Sequence, residues 1–326
     1  MDKFLRKKCK ITLCILLFFL NVFMTFSCSI PSKKNNRQIP NFTKKEKENL
    51  ENFFFCLMLR HSGIYVLQGS KPMCSAVIFI TTPEQEEEIY RELAEEGRDR
   101  PAINKSFHWQ DWEPVKKRIN MNNYIITVRE IPSWNSPYSK EIFFMNIANT
   151  INVLLKHYSF FKDVVGFDFD PLDKIYEIEN NTSIFWKKIL NNYTAMGILF
   201  GYGEENSRFF EYWSHGIDTS KGQSLDYFNH IPFNAYDNLC PILDKGINYQ
   251  NFPLPTFRHL KNDLILEKYK KERKQIKKLY KGKNPLEVTL KKLMEKKDVF
   301  TLPPETAKIL SNIKRLDTPD TAPKKN

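Results

Sequence analysis

An uncharged apolar run near the start of the chain limits which residues can take part in the fold. Residues 11–26 carry no charge, and the ten residues before them include five Lys or Arg and one Asp. A permanent transmembrane helix needs roughly 20 apolar residues, and this shorter run is also interrupted by Asn21. Its length and its flanks are typical of a cleavable export signal. We therefore predict that residues 1–27 are a signal peptide, outside the folded protein.

The residues at the end of the apolar run indicate how the signal is processed. The segment Thr25-Phe26-Ser27-Cys28 resembles a bacterial lipobox, in which the Cys after a small residue becomes a lipidated N-terminus. Ser27 fits this pattern, whereas Phe26 and Thr25 depart from the usual residues. Lipidation of Cys28 is the favoured prediction, and cleavage near Ser27 or Ser29 and an uncleaved anchor remain alternatives. Two or three acyl chains attach a protein stably to a membrane, which one chain does not.

The positive charge of the protein is concentrated at its two ends. The whole chain has a net charge of +12, but the signal carries +4 and residues 258–326 carry +11, which leaves −3 for residues 28–257. The overall charge is therefore poor evidence for nucleic-acid binding, and we predict no nucleic-acid partner. Residues 258–281 have the pattern of a basic amphipathic helix, suited to an anionic membrane surface. The favoured interpretation, however, is a helix docked on the domain with its lysines in water.

The patterns downstream of the signal predict an α+β fold. Residues 28–49 are polar and predict a spacer, residues 50–257 a globular domain, and residues 258–326 a basic helical tail. Helices and a few strands occur without regular alternation, which predicts a small sheet of about four strands packed by several helices. The predicted strands are 64–67, 76–81, 124–128 and 142–147. The predicted helices are 50–61, 82–97, 149–165, 182–200, 258–281, 285–297 and 304–316.

The glycines at 197, 201 and 203 form the most conspicuous local pattern. A phosphate-binding loop would follow a strand and precede a Lys-Ser/Thr pair, and neither condition is met here. The spacing instead predicts close packing at Gly197 and Gly201 on one helix face, followed by a tight turn at Gly203.

Residues 197–206 and 67–73 resemble patterns in uncharacterised exported lipoprotein-like proteins of Chlamydia-like intracellular bacteria. The Phe-Ser-Cys end of the signal is also similar to the lipobox of those proteins. This resemblance covers two short patches and the signal, and it implies no enzymatic activity.

Three carboxylates within six residues were considered as a cation site. Asp168, Asp170 and Asp173 have a spacing that hard cations such as calcium use, but the Gly and the terminal Glu of a calcium loop are missing. Pro171 favours a helix-starting turn instead. The histidines have no metal-ligand spacing, and we predict neither a metal nor a cofactor.

The remaining candidates for chemistry are nucleophiles and their possible base. His215 could act as a general base for Ser214 or Cys240, although the sequence has no Gly-x-Ser-x-Gly motif. Cys56 and Cys74 could form a disulfide, but buried free thiols are favoured. The sequence therefore favours an envelope-tethered binding or structural protein, with an envelope hydrolase as the alternative.

Overall fold

The computed structural model describes residues 39–79, 109–130, 139–214, 247–257 and 263–295, together with Glu87, Arg91, Glu95 and His259. The described residues, from Ile39 onward, belong to one compact unit. The helices described are α1 (Lys44–Phe54), α2 (Gly63–Gln68), α3 (Trp109–Lys116), α4 (Ile147–Lys156), α5 (Tyr158–Val165), α6 (Pro171–Tyr176), α7 (Ile184–Leu190), α8 (Tyr193–Leu199), α9 (Glu204–Ser214), α10 (Leu264–Tyr280) and α11 (Pro285–Leu293). The strands described are β1 (Met73–Phe79), β2 (Tyr124–Glu130) and β3 (Ser139–Asn146).

The strands form an antiparallel sheet in the order β1-β3-β2. Met145 of β3 lies opposite Met73 of β1 and Ile125 of β2. Side chains alternate between the two faces of a strand, so Phe144 faces one side of the sheet and Phe143 and Met145 face the other. All three are buried. Both faces of the sheet are therefore covered by helices.

One face of the sheet packs against helices that come from distant parts of the chain. These are α1, which continues as a π-helix over Phe55–Arg60, with α2, α3, α10 and α11. We call this assembly the composite layer. Its core is rich in aromatic residues: Phe53 stacks on Trp112 at 4.5 Å, and Tyr65 meets Tyr269 edge to face at 5.4 Å.

The other face packs against consecutive short helices, α4 to α8, which we call the contiguous layer. Four of these helices begin at a side chain that accepts a backbone N–H of the first turn. The capping residues are Asn146, Asp170, Ser183 and Asn192. Helix starts in this layer are thus specified by neighbouring residues.

The structure confirms the α+β class and corrects two details of the sheet. The described sheet has three strands, and residues 64–67, predicted as a strand, lie in helix α2. Every residue from Gly63 to Leu67 is buried. A fully buried apolar run has no polar side to reveal its period, so it does not distinguish a strand from a helix.

The predicted spacer is too long at its C-terminal end. Residues 44–49 lie in α1, because Thr43 and Glu46 form a capping box in which each side chain accepts the other's backbone N–H. Phe42 is buried, and Ile39 packs against the core. The folded unit therefore begins before residue 50.

The tail and the long helices also differ from the sequence prediction. Helices α10 and α11 place Tyr269, Ile276, Tyr280 and Leu290 in the composite core, so residues 264–294 are not a separable appendage. The predicted helices 149–165 and 182–200 are each two helices, with breaks at His157 and Asn191. The predicted helix 304–316 lies outside the described residues, as does nearly all of 82–97.

Candidate functional site

Most of the residues predicted to carry chemistry lie outside the described residues. This applies to Cys28, His215 and Cys240, while Ser214 is the last residue of α9 and its side chain is also outside. Lipidation at Cys28 and a hydrolase centre at His215 therefore stay predictions.

Two of the three nearby carboxylates have structural roles. Asp170 accepts the Leu172 N–H at 2.8 Å and caps α6, as Pro171 indicated. Asp168 pairs with Lys162 at 2.8 Å, and this contact is the main cause of the lowered pKa of Asp168. The described residues contain no group of His, Cys, Asp and Glu side chains that could hold a metal ion.

The two described cysteines are free thiols, so a Cys56–Cys74 disulfide is not formed. Burial raises the pKa of both. His61 ends the π-helix, where its backbone N–H donates to the Cys56 carbonyl, and burial lowers its pKa to about 4. An imidazole that stays neutral near pH 7 gains little from a helix C-terminus.

The glycine pattern is a packing element, as the sequence predicted. A Cβ at Gly197 would lie 2.4 Å from Ser207 Oγ, and one at Gly201 would lie 2.5 Å from the Tyr269 hydroxyl oxygen. Gly201 follows α8 in a turn with φ +74°, so the two glycines do not share a helix face as predicted. Tyr269 donates to the Gly201 carbonyl at 2.9 Å, which ties α10 to this turn.

A buried lysine lies beside this turn. Lys71 is 1% exposed, its ammonium donates to the Phe200 carbonyl at the C-terminus of α8, and it lies 4.3 Å from the centre of the Tyr202 ring. Burial lowers its pKa to about 7. A cation at a helix C-terminus interacts favourably with the helix dipole. Because Lys71 lies just before β1 and α8 belongs to the contiguous layer, this contact joins the sheet to that layer. Nothing in the sequence context of Lys71 indicated that it is buried.

The outer side of α10 presents the most concentrated charge among the described residues. Lys268, Lys271, Lys274 and Lys278 are all exposed, and we call them the lysine face. At 100° per residue, Lys271, Lys274 and Lys278 lie opposite the residues of α10 that are buried in the composite core: Tyr269, Ile276 and Tyr280. Lys268 lies at the edge of the face, with its ammonium 5.9 Å from the centre of the Tyr269 ring. The core therefore fixes which side of the helix the lysines occupy.

The acidic residues of α10 neutralise only part of the lysine face. Glu272 bonds to Ser70, with Ser70 Oγ donating to Glu272 Oε1 at 2.5 Å. Glu267 pairs with Lys270 at 2.7 Å, and this hydrogen bond is the main cause of its lowered pKa. The charges of Lys271 and Lys274 also lower the pKa of Glu267, so this carboxylate offsets part of their charge. Leu264, at the start of the same exposed side, is 83% exposed. The surface is thus a basic stripe with an apolar residue at one end.

A cavity of about 450 Å³ opens at one end of the sheet. It is bounded by the end of α2, the starts of β2 and α4, and side chains from α6 and α11. Four asparagines line it: Asn122, Asn123, Asn146 and Asn149. They come from two segments that the antiparallel pairing of β2 with β3 brings together, since Tyr124 lies opposite Asn146.

Backbone contacts hold three of these amides in place. Asn122 Nδ2 donates to the Glu295 carbonyl at 3.1 Å, Asn146 Nδ2 to the Val66 carbonyl at 3.4 Å, and Asn149 Nδ2 to the Gly69 carbonyl at 3.3 Å. Side chains positioned in this way lose little conformational freedom when they bind a ligand.

Comparison with known proteins gives no family model, no curated protein and no solved structure that matches this chain. Among the described helices, none combines the length and the hydropathy required to cross a membrane.

Proposed function

We propose that this protein is an exported bacterial lipoprotein that is tethered to an envelope membrane through Cys28 and acts there as a binding or structural protein. The lysine face holds the domain against the anionic surface of the same membrane. The observation that carries this proposal is the fixed orientation of α10, whose buried side is part of the core while its outer side is basic. The similarity to exported proteins of Chlamydia-like bacteria stays a prediction.

The energetic argument rests on adding several weak contacts to one tether. A lysine near an anionic membrane contributes about 1 kcal/mol, and the attraction decays within a Debye length of about 10 Å at 0.1 M salt. Four lysines on one rigid face can approach a flat surface together. A lipid tether raises the effective concentration of the lysine face at the membrane. Individually weak lysine contacts are then enough to hold the face on the membrane surface.

The surface contact can be tested without the lipid. A chain of residues 33–326 contains the whole compact unit that begins at Ile39. We expect it to bind phosphatidylcholine–phosphatidylglycerol vesicles at low salt and to dissociate as salt rises. Replacing Lys271, Lys274 and Lys278 with Glu should weaken binding by roughly a hundredfold or more, since at least three contacts of about 1 kcal/mol are lost.

The matched control reverses three exposed lysines elsewhere, Lys117, Lys156 and Lys187. It changes the net charge by the same amount, so it separates the effect of the face from that of total charge. Equal weakening by both triple variants, or binding that does not depend on salt, would contradict the surface assignment.

Tethering is tested separately in the full chain. Cys28→Ala should move the protein out of the detergent phase and change the mass of its mature form. Unchanged partitioning and unchanged mass would rule out lipidation at Cys28 and leave the lysine face unaffected.

A further inference from the structure

We propose that the cavity at the end of the sheet binds a neutral saccharide of one or two rings. The argument uses the lining of the cavity alone and does not depend on the membrane tether. The volume of about 450 Å³ lies within the range of roughly 300–1,000 Å³ that is typical of small-molecule sites.

The polar lining consists mainly of amides, which match hydroxyl groups. An amide side chain carries both a donor and an acceptor, as does each sugar hydroxyl. The nitrogens of Asn122 and Asn149 already donate to backbone carbonyls, which fixes both side chains. Within the described part of the chain, no hydrogen bond involves their amide oxygens. These two oxygens are therefore positioned acceptors at the cavity.

The charges around the cavity do not favour an ionic ligand. No carboxylate lines it, so a cation would find no counter-charge. Its one charged lining residue, Lys292, pairs with Glu295 at 2.6 Å. The first N–H groups of α4 are also engaged, since Ile147 N–H donates to the Asn123 carbonyl and Asn149 N–H to Asn146 Oδ1. An anion would have to displace these partners.

One wall of the cavity carries an aliphatic and an aromatic side chain that suit the carbon face of a sugar ring. Leu172 and Tyr176 lie one turn apart on α6, so their side chains are neighbours. They are 49% and 47% exposed. Exposed apolar side chains beside fixed polar groups are typical of sites where a ring rests on one surface while its hydroxyls bind another.

The test uses the full chain in zwitterionic micelles, which contribute no sugar headgroup. The probes are N,N′-diacetylchitobiose and cellobiose, measured by saturation-transfer NMR and isothermal titration calorimetry. Triglycine and inorganic phosphate serve as a peptide and an anion for comparison. We expect at least one disaccharide to bind and neither comparison ligand to compete with it.

Two variants place the binding in this cavity. Asn149→Ala should weaken disaccharide binding about tenfold, the loss expected for one hydrogen bond. Tyr176→Ala should weaken it roughly fivefold through the lost ring contact. Because Tyr176 is 47% exposed, the variant should fold as the wild type does. Tyr193→Ala, at a tyrosine that is 48% exposed on α8, is the control and should leave binding unchanged.

The proposal fails if neither disaccharide binds, or if triglycine or phosphate binds in their place. It also fails if a disaccharide binds equally well to the wild type and to the Tyr176→Ala protein. None of these results bears on vesicle binding by the lysine face. The saccharide site and the membrane contact are therefore tested independently.

Discussion

The two helical layers cover opposite faces of one sheet, but the chain builds them in different ways. The contiguous layer uses consecutive helices within residues 147–199, and four of them start at their own side-chain caps. The composite layer joins α1 and α2 to α10 and α11, which lie far away in the sequence. Local signals therefore specify most of one layer, whereas the other depends on contacts that form only when distant segments meet.

The largest expected effect is removal of residues 258–326, which tests whether the composite layer needs its C-terminal half. Burying one large apolar side chain contributes about 1.5–3 kcal/mol, and the deletion removes Tyr269, Ile276, Tyr280, Leu290 and Leu293 from the core. The loss is on the order of 10 kcal/mol, comparable with the stability of a whole domain. Hydrogen exchange should show α1 and α2 unprotected.

A chain that ends at Glu295 is the matched control, because it keeps both helices. It should retain protection in α1 and α2. Equal melting temperatures for the two truncated chains would show that the composite layer does not depend on α10 and α11.

A smaller effect is expected at the junction between the layers. Gly201 and Gly282 both have positive φ, +74° and +68°, and an alanine there costs about 1–2 kcal/mol. At Gly201 the new Cβ would also approach the Tyr269 hydroxyl, whereas nothing lies within 4 Å at Gly282. Gly201→Ala should therefore lower the free energy of unfolding by about 3 kcal/mol and Gly282→Ala by about 1 kcal/mol.

Urea denaturation of both variants measures this difference. It isolates the close contact between the turn and α10 from backbone strain, which the two positions share. Equal losses at the two glycines would mean that the contact with Tyr269 adjusts without cost.

The smallest expected effect is a pH dependence that originates at Lys71. Its pKa falls from an ordinary value of 10.5 to about 7 in the folded protein, so between those values the unfolded chain binds more protons at this position. The free energy of unfolding should then rise with pH from about 7, by at most about 1.4 kcal/mol per pH unit. Cys56 and Cys74 act in the opposite direction near and above pH 8.5, because their thiols ionise more readily in the unfolded chain.

Lys71→Met removes the titrating group and keeps a side chain of similar length. The wild type minus variant difference in unfolding free energy, measured from about pH 7 to about pH 8.5, should rise with pH. A flat difference would show that Lys71 remains charged in the folded state.

The same contrast explains what could be predicted from the sequence. The helix starts at Pro171 and Pro285 agree with the sequence prediction, because each is specified by the adjacent capping residue, Asp170 or Asn284. Strands β2 and β3 were found from their β-branched and aromatic residues. Helix α2 was mistaken for a strand because both kinds of buried segment are uniformly apolar.

The candidate sites show where prediction from sequence ends. The sequence shows the lysines of α10 as a pattern, but it does not show which part of the protein the apolar side of this helix packs against. It also does not show that Leu264 is exposed while Tyr269 is buried. The asparagines of the cavity come from the starts of β2 and α4, and only the strand register brings them together. Burial of Lys71 depends on Tyr202 and Phe200, more than 120 residues away.

The long separation between the halves of the composite layer also affects the order in which an emerging chain can fold. Leu50, Phe53 and Phe54 leave the ribosome or a translocation channel about 230 residues before α11, which packs against the same helix, α1, as α3 does. Contacts between such distant segments form slowly. Until they form, chaperones can bind the exposed apolar surface. A chain that emerges N-terminus first thus remains partly unfolded until α10 and α11 appear, and these last of the described helices complete the composite layer.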